Sequence, residues 1–107
     1  MSDKLLVLST AGSETEARKI ADALVERRLA ACVNIVPRIL SVYRWEGKVE
    51  RAEEYLLLIK TVAAHEEEVR AAIRELHSYD LPEVISVSVA GGTAEYLKWL
   101  EDAVGSM

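Results

Sequence analysis

Two short segments constrain this chain more than any other feature. Leu5-Leu6-Val7-Leu8 and Leu56-Leu57-Leu58-Ile59 are apolar at every position. At strand length such runs present apolar side chains to both faces of a sheet, because successive residues point to opposite sides. An antiparallel strand with one wet face alternates apolar and polar residues instead. Both faces of these strands therefore need cover. The supply is there: half of the 107 residues are hydrophobic, drawn mostly from Leu, Val, Ile and Ala, with two Trp, four Tyr and no Phe. A domain this small hides only roughly two-thirds of its unfolded surface. The surplus predicts that the second sheet face is buried against other copies of the chain.

The rest of the sequence sets the order of the elements. Lys4–Thr10 reads as the first strand. Ser13 and Glu16 form a Ser-x-x-Glu capping box, and Ala17, Ile20, Ala21, Leu24 and Val25 follow at helical spacing. Arg27 and Arg28 are placed at the negative end of that helix, where cations are favoured. Ala31–Val36 is a second strand. Pro37 lacks a backbone donor and marks an edge or a bulge, and the strand resumes over Ile39–Trp45 with Ser41, Tyr43 and Trp45 on one face. Glu46–Gly47 is a tight turn, and Lys48–Thr61 returns as a third strand. Arms of about eleven residues at ~3.3 Å each reach ~36 Å, so the hairpin should project beyond a small body. A second helix over Ala64–His77 carries Glu66, Glu67 and Glu68 in its first turn. Leu81–Pro82 ends it, Val84–Val89 is the fourth strand, and Thr93 caps a C-terminal helix bearing Tyr96, Leu97, Leu100 and Val104. The order β-α-β-β-α-β is the ferredoxin-like arrangement: an α+β fold with two helices on one face of a four-stranded antiparallel sheet, plus a terminal helix. No linker or repeat divides the chain, so one domain is expected over residues 1–107.

Charge and composition exclude several roles. Thirteen Lys and Arg stand against eighteen Asp and Glu, a formal charge of −5, which disfavours nucleic acid and anionic membranes as partners. The apolar runs fall far short of the ~20 residues that span a bilayer. No charged, apolar and small-residue sequence marks a secretory leader, so a cytoplasmic chain is expected. One cysteine, Cys32, excludes an internal disulfide and any cysteine-only metal cage. A base-stacking RNA-binding surface would need aromatic residues on the central strands, which carry Leu and Val. A Cys-x-x-Cys metal carrier would need that motif where Thr10-Ala11-Gly12-Ser13 stands.

Candidate chemistry is sparse. His65 and His77 are twelve residues apart and do not face one ion from one helix. His77, Asp80 and Glu83 offer imidazole and carboxylate to a cation, or His77 closes a helix and the carboxylates are solvated. Cys32 sits in a strand, where a buried small hydrophobe is the common role. Glu54 and Lys60 share strand parity but stand ~20 Å apart, so each, if buried, needs a partner from another element or another subunit. Gly91-Gly92-Thr93 lacks the remaining glycines of a phosphate cradle and reads as a turn. Tyr43, Trp45, Tyr79 and Trp99 read first as packing groups.

Read together, Leu29-Ala30-Ala31-Cys32-Val33-Asn34-Ile35, Ser41-Val42-Tyr43-Arg44-Trp45-Glu46-Gly47-Lys48, Ile59-Lys60-Thr61, His77-Ser78-Tyr79-Asp80-Leu81-Pro82-Glu83 and Tyr96-Leu97-x-Trp99-Leu100 resemble the CutA divalent-cation tolerance family. The similarity runs in order over nearly the whole chain. It implies a tight homotrimer of ferredoxin-like subunits, similar in architecture to the PII signalling proteins. It also implies a link to tolerance of copper and other divalent cations, copper binding in some members, and no defined catalytic activity. Trp45, Glu54, Lys60, Tyr79, Pro82 and Glu83 match family positions and are expected to line a ligand-binding cleft between subunits. The cleft is expected to hold a divalent cation, Cu or Zn, weakly, or a small anion, with His77 and Glu83 as cation ligands and Lys60 neutralising an anionic group. Ser9 stands where some members have cysteine, Leu76 where a paired histidine falls and Ser78 in place of a proline. Of a Cys-His-His copper set only His77 remains, which argues against tight copper(I) binding by soft ligands. The rival readings are a scaffold trimer that recruits a protein partner and a cleft enzyme using Lys60, His77 and Glu83.

Overall fold

The computed structural model describes residues 3–105. The outermost two residues at each end of the expected 1–107 domain lie outside the described residues. The elements run β1 (Lys4–Ala11), α1 (Glu14–Glu26), β2 (Cys32–Trp45), β3 (Lys48–Val62), a 3₁₀ turn (Ala63–His65), α2 (Glu66–Leu76), β4 (Ile85–Ser88) and α3 (Ala94–Ala103). The strands form one antiparallel sheet in the order β2-β3-β1-β4. This is the ferredoxin-like α+β fold that the element order predicts.

The doubly apolar strands β1 and β3 occupy the centre of the sheet. Val7, Leu57 and Ile59 point to α1 and α2 and are fully buried with Ile20, Leu24, Val69 and Ile73. Each such side chain contributes roughly 1.5–3 kcal/mol on burial. Leu6, Leu8, Leu56 and Leu58 point to the other face and are only half-buried. Ile85 and Val87 of the edge strand β4 extend that apolar surface and are exposed. α3 covers one end of the sheet, where Leu100 and Val104 bury against Val62.

β2 and β3 are 14 and 15 residues long, and they stretch the molecule to 44 Å along its longest axis against 25 and 22 Å across. Pro37 sits on the edge strand β2, at a register shift between Val36 and Ile39. The bulge turns Arg38 into the left-handed region (φ 60°) and moves the strand by one residue relative to β3. Ser41, Tyr43 and Trp45 consequently share a face with Glu54 and Leu56. Glu46 and Gly47 close the hairpin with φ of 49° and 81°, the two positive angles of a type I′ turn.

Several local details depart from the sequence pattern. The helix α1 ends at Glu26, so Arg27 is its C-cap and Arg28 lies beyond it at φ 59°. Arg27 pairs instead with Glu75 of α2 at 3.2 Å. The second helix starts at Glu66 after the 3₁₀ turn, with no side-chain cap. Ser13 Oγ accepts the Glu16 N–H at 3.2 Å, half of a capping box. The Glu16 carboxylate turns inward to the His77 ring rather than back to Ser13.

Candidate functional site

The C-terminal end of β1, the hairpin and the α2–β4 loop border an open cavity of about 550 Å³. Its lining comes from three places: Thr10 on β1; Ser41, Val42, Tyr43, Trp45 and Glu54 on the hairpin; and Tyr79, Asp80, Leu81 and Glu83 on the loop. The hairpin residues converge because the bulge at Pro37 sets Ser41, Tyr43 and Trp45 on the Glu54 side. The loop closes over them because His77 leaves α2 in an extended conformation (φ −83°, ψ 143°).

His77 fastens that loop. Its side chain is fully buried. Nε2 lies 2.6 Å from the Thr10 carbonyl, and Nδ1 accepts the Tyr79 N–H at 3.0 Å. A carbonyl accepts and a peptide N–H donates, so these partners assign the ring proton to Nε2 and the lone pair to Nδ1. Glu16 Oε1, buried and without a hydrogen-bond donor, stands 3.4 Å from Nδ1. The Tyr79 ring tilts against the imidazole at a centroid separation of 4.6 Å.

Tyr79 in turn holds Glu54. The phenol donates to Glu54 Oε2 at 2.8 Å, and Glu54 is only 7% exposed. Burial, the hydrogen bond to Glu54 and its negative charge push the Tyr79 phenol up to about 12, because all three disfavour the phenolate. Among the described residues no Lys, Arg or His makes an ion pair with Glu54. Close approach at Gly12 is part of the same arrangement: a Cβ there would lie 2.9 Å from the Tyr79 hydroxyl oxygen.

A profile of the CutA1 divalent ion tolerance protein family matches residues 5–103. The chain belongs to that family. It is similar to the "Divalent-cation tolerance protein CutA" of Thermus thermophilus, with 48% identity over 100 residues, 94% of this chain and 97% of that one. The solved structure from the same organism superposes with a TM-score of 0.93 and covers 95% of this chain and 99% of that chain at 47% identity. "Protein CutA, chloroplastic" of Arabidopsis thaliana is 43% identical over 99 residues, 92% of this chain but only 54% of its own length. A structure titled periplasmic divalent cation tolerance protein CutA, from Archaeoglobus fulgidus, has 39% identity and a TM-score of 0.92, with 95% of this chain and 99% of that chain covered. The chain thus spans nearly all of the Thermus relative and about half of the Arabidopsis one. These names correct the cytoplasmic expectation. The same CutA fold serves a chloroplastic and a periplasmic protein, so the compartment is not written in the features that build the core.

Of the seven residues singled out by the CutA resemblance, Trp45, Glu54, Tyr79 and Glu83 meet in one cavity within the subunit, and Pro82 does not line it. Lys60 does not line it. Six residues along β3 from Glu54, about 20 Å away, its ammonium lies over the Tyr96 ring of α3 at 5.6 Å. His77 does not line it either, and its two nitrogens are committed to Thr10 and Tyr79. Among the described residues no three His, Cys, Asp or Glu side chains group closely enough to hold a metal ion. The side chains present therefore do not fit a resident Cu or Zn centre on His77, whose lone pair is already used as an acceptor. Thr10 and Glu16 escaped the sequence reading. Glu16 carries a capping-box signature that hides its inward turn, and Thr10 contributes through a backbone carbonyl, which no sequence pattern marks.

Proposed function

We propose that this CutA-family chain acts in divalent-cation tolerance by binding a small ligand in the Glu54–Tyr79 cavity, as a homotrimer of one-domain subunits and not as an enzyme. The observation that carries the tolerance reading is the match to the Thermus protein of that name over 94% of the chain. The buried carboxylate held by Tyr79 inside a cavity of ligand size supports the binding mode. The half-buried row Leu6, Leu8, Leu56 and Leu58, continued by Ile85 and Val87, supports oligomerisation, since single copies rarely leave such a patch wet.

Cation tolerance then depends on what occupies the cavity rather than on a metal ion bound by His77. Deleting the gene should sensitise the source cells to Cu²⁺ or Zn²⁺. The wild-type chain should restore growth, and a Glu54→Gln, Trp45→Ala double variant should not. Equal growth of deleted and wild-type cells across both metals would refute the tolerance role. Native mass spectrometry should show three copies, and a bare monomer at micromolar concentration would refute the assembly.

A further inference from the structure

We propose that Glu16 and His77 form a proton-operated latch on the α2–β4 loop. The neutral His77 ring holds the loop, and a proton taken up at Nδ1 moves the bond of that atom from the Tyr79 backbone to the Glu16 carboxylate. Every group the latch needs lies inside one chain. The His77 side chain has no exposed surface and Glu16 Oε1 is buried, so the packing of further copies around the subunit leaves these contacts as they are. No metal centre fits His77 among the described residues, which leaves the proton as the cation its lone pair answers to.

Nδ1 is the pivot because it has one lone pair and two neighbours of opposite demand. The Tyr79 N–H, 3.0 Å away, needs an acceptor, and the ring with its proton on Nε2 supplies one. Glu16 Oε1, 3.4 Å away, needs a donor and has none, a costly state for a buried carboxylate oxygen. A proton on Nδ1 reverses both: Glu16 gains a charged donor, and the Tyr79 N–H meets another donor and turns away. Nε2 donates to the Thr10 carbonyl in either state, so the ring stays in place while the loop is released. The charged and titratable groups facing the imidazole are Glu16 from α1 and Tyr79 from the loop, with Glu54 of β3 behind the Tyr79 hydroxyl. From β1 and α2 come backbone carbonyls, Thr10 to the ring and Ile73 to the His77 N–H. Among the described residues no Lys or Arg makes an ion pair with Glu16. Release of the Tyr79 backbone also loosens the contact of its hydroxyl with Glu54. In that consequence the inference rests on the reading of the cavity as the ligand site; the latch itself does not.

Nuclear magnetic resonance of the purified full chain, titrated from about pH 8 to about pH 4.5 with a metal chelator present, provides the test. At the upper end His77 Nδ1 should show the nitrogen shift of an unprotonated ring atom. Where it gains its proton, the hydrogen-exchange protection factor of the Tyr79 amide should fall at least about tenfold, while the Leu57 and Ile59 amides of β3 keep theirs. Glu16→Gln keeps the shape and removes the charge. An opposite charge this close favours the charged ring, so in that variant both changes should move together to lower pH by at least about one unit. Protonation of Nδ1 with the Tyr79 amide still protected would overturn the proposal, as would an unchanged midpoint in Glu16→Gln. So would an Nδ1 that stays unprotonated over the whole range in the wild-type protein, or a loss of Tyr79 protection only together with the β3 amides. No ligand enters the experiment, which keeps its outcome separate from the reading of the cavity. A failed latch leaves metal-dependent growth as the test of tolerance, and a missing growth phenotype leaves the two resonance signals in place.

Discussion

Removing the Tyr79 hydroxyl tests the central contact of the site. Tyr79→Phe deletes the donor that reaches Glu54 Oε2 at 2.8 Å and keeps the ring that packs on His77. A hydrogen bond to a charged acceptor contributes about 1.5–3 kcal/mol, and the cost is felt in full when the remaining partner stays buried. Glu54 is 7% exposed, so water cannot fully replace the phenol. With a urea m-value of about 2 kcal/mol/M, the loss corresponds to a midpoint lowered by roughly 1 M. The comparison needs a fixed chain concentration, because association contributes to apparent stability. The decisive form is a double-mutant cycle with Glu54→Ala. Once the carboxylate is gone the phenol has nothing to satisfy, so Tyr79→Phe should then cost less than about 0.5 kcal/mol. Strictly additive effects of the two substitutions would refute the coupling and with it the account of how Glu54 is kept buried.

The phenol itself gives a spectroscopic check. Tyr79, raised to about 12, should ionise well after an ordinary tyrosine at about 10, and Glu54→Gln should bring it down; an unchanged last step in the phenolate absorbance would refute the assignment. The sign for stability follows from the raised value. The folded state holds this proton more tightly than the unfolded chain, so the contribution is complete below about pH 10 and is lost as pH rises toward 12. Gly12→Ala places a methyl group 2.9 Å from the Tyr79 hydroxyl oxygen. The end of a side chain can give way, so the protein should fold with a loss of about 1–2 kcal/mol and with the Tyr79 phenol titrating lower; wild-type titration would show that Tyr79 is not confined there.

The relation of sequence to structure differs between elements. The doubly apolar runs at Leu5–Leu8 and Leu56–Ile59 marked two strands that present apolar side chains to both sheet faces, because successive residues point to opposite sides. Ser13, Pro37, Glu46-Gly47 and Thr93 each marked a local event with a local cause: a cap, a bulge, a turn and a second cap. Helix ends were less legible. Arg27 caps α1 and Arg28 turns out of it at φ 59°, with the Leu29 N–H returning to the Leu24 carbonyl at 2.9 Å.

The site divides along the same line. Sequence similarity to the CutA family nominated Trp45, Glu54, Tyr79 and Glu83, and their strand parity put Trp45 beside Tyr43 and Ser41. It nominated Lys60 and His77 with equal force, since similarity records residue type and not direction. In the folded chain Lys60 lies along β3 with its ammonium over the Tyr96 ring, and His77 spends both nitrogens on Thr10 and Tyr79. Local spacing, capping and strand parity act within a few residues and can be read in one dimension. Which polar atoms meet, which are buried without a counter-charge and what space is left between them depend on contacts between residues distant in the chain. Those are decided by packing.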